Sequence, residues 1–204
     1  MPGDQRQVRR KVKLQFFPLT PSRWVDLEKL FGPRGACGGC WCMWWRRPRA
    51  QFEKQKGAGN RRALKRIVSS GKPPGLLAYA GREPVGWVAL APRAEYPVLD
   101  GSRVLARVDE KPVWSVPCFF IAKPFRGKGV SVKLLRAAAA YARKRGARIL
   151  EGYPVVAKKG RMPDVFAYTG LPGTFERAGF VEILRRSPTR PIMRKTLNPP
   201  PTCA

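Results

Sequence analysis

The chain contains no histidine among its 204 residues, and that absence excludes more chemistry than any other feature. Ser-His-Asp and Cys-His catalysis, histidine-ligated zinc and an imidazole general base are all ruled out. Proton transfer has to use a carboxylate, tyrosine, lysine, cysteine, the backbone or water. Acidic residues are scarce too: 13 Asp and Glu stand against 41 Lys and Arg, a formal net charge of +28. No apolar stretch approaches the ~20 residues that cross a bilayer, so no membrane span is expected. The basic first 20 residues have no apolar run behind them, and no secretory signal is read there. The five cysteines are an odd count, and no second CxxC pair accompanies Cys37 and Cys40. They argue for a reducing compartment and a cytoplasmic location rather than a disulfide framework.

What remains is globular composition, 44% hydrophobic and 26% charged, in a chain long enough to close a sizeable core. The expected organisation is a basic flexible tail over 1–11, a single domain over 12–197 and a proline-rich disordered tail over 198–204. The positive charge is concentrated. Residues 1–13 carry five cations and one acid, 34–66 ten and one, and 123–148 nine and none. One small cofactor cannot neutralise such a field. It is either a solvated surface or an attraction for a polyanion such as nucleic acid.

Periodicity and breakers predict a strand over 12–19, a short helix from Ser22 to about Leu30, and a helix over about 48–70 weakened by Gly57 and Gly59. A hairpin over 75–80 and 85–91 follows, then a polar connection and a nearly continuous apolar strand over 113–122. The rest alternates: a helix over 132–145 stopped by Gly146, a strand over 148–155, a short helix over 174–178, and strands over 180–185 and 192–197.

The most informative stretch runs from Trp114 through Pro117 to Arg126-Gly127-Lys128-Gly129-Val130-Ser131. A strand feeds a glycine-rich turn and then a helix, so backbone N–H groups at the helix start face an anion favoured by the helix dipole. Arg126 and Lys128 add charge there. The plainer alternative is a strand-to-helix turn that happens to be basic. Pro117 cannot donate to a sheet ladder, which marks an edge, a bulge or a late strand start.

At these residues the sequence resembles the GNAT superfamily of acyl-CoA-dependent N-acyltransferases, whose pyrophosphate signature is Arg/Gln-x-x-Gly-x-Gly/Ala. Here Ser131 replaces the usual final Gly or Ala. The resemblance continues through Thr174-Phe175-Glu176-Arg177-Ala178-Gly179-Phe180. It implies an α/β (α+β mixed sheet) fold: a central, mostly antiparallel sheet splayed between strands 4 and 5 and flanked by helices. It also implies acetyl-CoA as co-substrate and a primary amine as acceptor, acetylated by direct attack. The pyrophosphate would lie on Arg126, Gly127, Lys128, Gly129, Val130 and Ser131. Pantetheine would pair with backbone groups of Phe119, Phe120, Ile121 and Ala122, and an amide near Cys118 or Phe119 would polarise the thioester.

Phe175 stands where many members of the family carry a tyrosine acid, so Tyr168 and Tyr153 become the substitutes. Glu151 is the candidate base, with a structural ion pair as the alternative; Asp164 is a weaker one. Cys37, Cys40 and Cys42 fall one ligand short of a structural zinc set unless Cys118 folds in, and no metal is assigned. Trp41, Trp44 and Trp45, flanked by Arg46 and Arg47, form a candidate acceptor lid; the alternatives are a cap on the core or stacking on nucleic acid. The competing function is a GNAT scaffold that binds RNA or the ribosome through its basic surface.

Overall fold

The computed structural model describes residues 13–157 and 162–198. The tail over 1–11, and all of the 198–204 tail except Asn198, lie outside the described residues. Strand β1 (Leu14–Pro18) leads through a 3-10 turn into helix α1 (Trp24–Phe31). Helices α2 (Arg49–Lys54) and α3 (Ala58–Ser69) follow where the sequence predicts one helix. The break falls at Gly57, whose φ of 79° a helix interior does not tolerate. Strands β2 (Gly75–Ala80) and β3 (Glu83–Pro92) form the hairpin. A 3-10 turn at Arg93–Glu95 and helix α4 (Pro97–Asp100) precede β4 (Trp114–Ile121), α5 (Val130–Lys144) and β5 (Ile149–Gly152). A 3-10 segment (Asp164–Thr169), α6 (Pro172–Arg177), β6 (Val181–Arg185) and β7 (Pro191–Thr196) complete the chain.

The strands make one seven-stranded sheet in the order β1-β2-β3-β4-β5-β7-β6. Only β4 and β5 run parallel, as the crossover through α5 requires. Helix α5 covers one face, burying Val130, Val132, Leu134, Leu135, Ala138, Ala139 and Ala142 in one core with Leu76, Ala78, Val85, Val88 and Leu90. Leu134 and Leu135 are fully buried, each contributing about 1.5–3 kcal/mol. Gly86 permits the close approach: a Cβ there would lie 3.1–3.2 Å from Val130, Leu134 and Ile121 side chains. The opposite face packs against α1 and α3 through Trp24, Leu27, Phe31, Leu64 and Val68, with Leu77, Trp87 and Cys118 from the sheet. In a third core, Tyr153 and Ile192 pack against Tyr96, Leu99 and Leu105, which come from the stretch that the sequence marks only as a polar connection.

Candidate active site

The anion turn is built at the end of β4. Gly127 and Gly129 adopt φ of 70° and 74°, and Gly129 is the left-handed N-cap of α5 with no side-chain cap on that helix. The first N–H groups of α5 therefore emerge without intrahelical acceptors. No atom lies within 4 Å of the Cβ position at either glycine, so the space above the turn is open. Arg126 Nε donates to the Ile121 carbonyl at 3.0 Å, tying the turn back to the strand. Lys128 Nζ sits 5.7 Å from the Phe125 ring centroid.

Beside the turn the sheet opens. The β4–β5 pair lasts for three positions, Trp114–Leu150, Ser115–Glu151 and Val116–Gly152. Beyond Val116, β4 continues to Ile121 with only β3 as partner. On that side Ala89 faces Cys118 while Ala91 faces Ser115, so Val116 and Pro117 together oppose Leu90. This is a β-bulge at the proline, where a missing N–H costs no ladder bond.

The register also decides which backbone groups face the gap. Ala122 N–H donates to the Val85 carbonyl at 3.0 Å, and antiparallel pairing alternates. Phe120 and Cys118 therefore turn their backbone groups to β3 as Ala122 does, whereas Phe119 and Ile121 turn theirs towards the splay. The expectation that all of Phe119–Ala122 offer backbone partners is corrected to Phe119 and Ile121, because alternate residues are spent on the ladder.

The floor of the gap is aromatic. Phe175 is fully buried, edge-on to Phe119 at 6.0 Å and to Phe180 at 5.1 Å. A Cβ on Gly152 would collide with the edge of the Phe175 ring, so the glycine creates the space that the ring fills. On the other face, Tyr168 packs partly buried beside Cys118. Burial, then Cys118, push its pKa up to about 12, against a lowering by nearby Arg190. Tyr168 thus stays protonated across the neutral range.

Glu151 and Tyr153 meet at the splay, but as members of a closed ion cluster. Glu151 is fully buried. Arg93 Nη1 donates to one of its oxygens at 2.8 Å and Arg194 Nε to the other at 2.6 Å. The Tyr153 hydroxyl donates to Glu151 at 2.7 Å and shares a 2.7 Å hydrogen bond with Ser115. Burial, then Glu151, push the Tyr153 pKa well up. Arg93 continues to Asp100 and Arg194 to Asp109. Both carboxylate oxygens are committed and neither side chain reaches solvent, so the arrangement differs from an accessible base. Sequence reasoning missed Arg93 and Arg194. The side chain of Asp164 lies outside the described residues.

The segment 35–45 is a wound loop. Left-handed φ values occur at Gly35, Ala36, Gly38, Gly39, Trp41 and Cys42, and the three non-glycine positions carry strain of about 1–3 kcal/mol each. Arg47 helps hold the loop to α3: it donates to Gln55 and Asn60, and Asn60 Nδ2 donates to the Gly39 carbonyl. Trp41 stacks on Trp24 at 5.9 Å, and Trp45 is buried in the third core. The lid expectation is corrected for these two, because packing rather than exposure accounts for them. Trp44 stays half-exposed, under Arg49 at 4.8 Å. A depression of about 610 Å³ beside Trp41 is lined by Glu28, Lys29, Gly32, Pro33 and Arg61, with no residue of β4 or β5. Cys118 does fold in: its Sγ lies 3.4 Å from Cys42 Sγ, which also accepts the Trp87 Nε1 proton at 3.1 Å. Among the described residues no three Cys, Asp or Glu are placed to hold a metal ion.

A bulged strand parts from its parallel neighbour and ends in an open N–H turn at the centre of this α/β fold. Residues 41–156 match the model of the acetyltransferase (GNAT) family, and the chain belongs to that family. None of the curated proteins matches it. Solved structures share the fold at low identity. A GNAT-family acetyltransferase from Listeria monocytogenes is 8% identical with a TM-score of 0.56, over 90% of this chain and 95% of that one. A putative GNAT acetyltransferase from Desulfovibrio desulfuricans is 13% identical with a TM-score of 0.52, over 91% and 100%. Aminoglycoside acetyltransferase AAC(6')-Ib, solved with coenzyme A, is 14% identical with a TM-score of 0.51, over 90% and 95%. No helix among the described residues is long and apolar enough to cross a membrane.

Proposed function

We propose that the protein is an acetyl-CoA-dependent N-acetyltransferase acting on a primary amine by direct attack. The carrying observation is that the open edge of β4 begins at the Pro117 bulge and runs straight into the Gly127–Gly129 turn. The coenzyme A in the AAC(6')-Ib structure supports the same ligand here. Residues 126–131 would hold the pyrophosphate on backbone N–H groups, with Arg126 and Lys128 adding charge. Phe119, and the N–H of Ile121 whose carbonyl is taken by Arg126, would pair with pantetheine. The Phe119 N–H, the first splay-facing donor after the bulge, would polarise the thioester carbonyl and stabilise the oxyanion formed when the amine attacks.

Tyr168 is the proposed hydrogen-bond donor to the departing sulfur. With its pKa at about 12, it keeps its own proton and assists by donation. We assign Glu151 and Tyr153 a positioning role, holding β4, β5 and β7 together below the splay, and Trp44 the contact with the acceptor.

The test is coenzyme A release across a panel of primary amines, with acetylated product identified by mass spectrometry. Tyr168→Phe should lower kcat by about tenfold, the value of one hydrogen bond of roughly 1.4 kcal/mol, with little change in KM. Because Tyr168 stays protonated below about pH 12, kcat/KM should rise as the amine deprotonates and show no falling limb between pH 7 and 10. A tyrosine limb in that window, or an unchanged kcat in Tyr168→Phe, would remove Tyr168 from the mechanism.

A further inference from the structure

We propose that the outer face of α5 is a docking surface for double-helical nucleic acid, separate from the acyl-transfer site. Between Lys111 and Leu150 the chain carries ten Lys and Arg and no Asp or Glu. On α5, Lys133, Arg136, Arg143 and Lys144 fall within an arc of about 100° at helical spacing, and Arg145 and Arg148 extend the stripe past its end. All but the half-buried Arg143 are exposed.

Three observations turn this charge towards a partner. First, no cation of the stripe makes an ion pair among the described residues. Glu28, Glu95, Asp100, Asp109, Glu151 and Glu182 pair instead with Arg61, Arg46, Arg93, Arg107, Arg194 and Arg185. Second, Arg143 Nε is buried without a hydrogen-bond acceptor, so no group of the fold draws on the inner edge of that guanidinium. Third, α5 has 15 residues and spans about 22 Å. An anion held at its N-terminal turn cannot neutralise Lys144, Arg145 and Arg148 at the far end.

The side chains also choose between polyanions. Exposed aromatics for base stacking are missing from the face: Tyr141 is half-buried, with Arg145 5.1 Å from its ring centroid and Trp114 edge-on to it. Large apolar side chains that could enter a lipid surface are missing too, because Ala137 and Ala140 occupy the positions between the cations. A stripe of cations with neither feature fits the regularly spaced phosphates of a duplex and reads no sequence.

The experiment measures binding of 20-base-pair RNA and DNA duplexes of unrelated sequences by fluorescence anisotropy from 50 to 300 mM salt, for wild type and Lys133→Glu/Lys144→Glu. Both duplexes should bind with similar affinity, and log K should fall linearly with log salt. Each phosphate contact adds about 0.9 to the slope, so the variant should lose roughly two from its magnitude and bind far more weakly. Lys133→Gln/Lys144→Gln, which leaves the helix surface neutral, should show the smaller effect in the same direction. Circular dichroism and coenzyme A titration of each variant report folding independently. Three results would overturn the proposal: no duplex binding by the wild type, duplex binding unaltered in both variants, or binding to anionic phospholipid vesicles without duplex binding.

Discussion

Glu151 lies beside the splay inside a closed ion cluster, and the positioning role proposed for it rests on that burial. It is fully buried between the guanidinium groups of Arg93 and Arg194. Removing it leaves two buried cations with no carboxylate between them, and breaking a buried pair in this way costs about 3–5 kcal/mol. Glu151→Ala should therefore lower the denaturation midpoint by that equivalent in a urea titration. A midpoint unchanged within about 0.5 kcal/mol, together with lost acetyl transfer, would contradict the positioning role and restore Glu151 as a base. The sequence places Glu151 beside Tyr153 by strand alternation alone. Its two arginines stand 58 and 43 positions away, and only the pairing of β5 with β7 and the packing of the Arg93 turn bring them in. Cys118 and Cys42 meet across 76 positions in the same way. Contacts of that span leave no local pattern in a chain.

Among the elements, those whose sequence pattern is local were legible. The apolar spacing of α5, the breakers at Gly127 and Gly129 and the alternation in β2 and β3 each specify an element on their own. Pro117 marks the bulge for a covalent reason, since it has no N–H to give. The loop over 35–45 was not legible as structure. Its tryptophans could equally face a ligand or the core, and only packing on Trp24 and in the third core decides for Trp41 and Trp45. The connection after β3 was obscured by its charged residues, although Tyr96, Leu99 and Leu105 build a core from it. The splay itself depends on Gly152, the last paired residue of β5, with the Phe175 ring against its Cα. Gly152→Ala should displace that ring, lowering stability by about 1–3 kcal/mol as overpacking does, and weakening coenzyme A binding as Phe119 shifts with it. Thermal denaturation and calorimetric titration check the two effects. Wild-type values in both would mean that the Phe175 contact does not shape the gap.

At the scale of the whole molecule, the sheet separates the two proposed sites. Strand β4 presents its free edge at the splay, and the turn at its end feeds α5, which lies across one face and shows its cations outward. The α1–α3 layer and the 35–47 loop cover the other face, where Tyr168 and Trp44 lie. The +28 charge was plain from composition. That no ion pair opposes it along α5 among the described residues was not, because the partners of Glu151, Asp100 and Asp109 are set by long-range packing. The central claim is that the turn at the end of β4 holds the pyrophosphate of coenzyme A, and Gly129 tests it most directly. Its left-handed φ of 74° and the open space above it mean that an arginine there would strain the cap and fill the anion's place. Calorimetric titration of nucleic-acid-free protein with acetyl-CoA in moderate salt should show saturable micromolar binding in the wild type and none in a folded Gly129→Arg. Equal binding by the two would place the cofactor elsewhere and contradict the account.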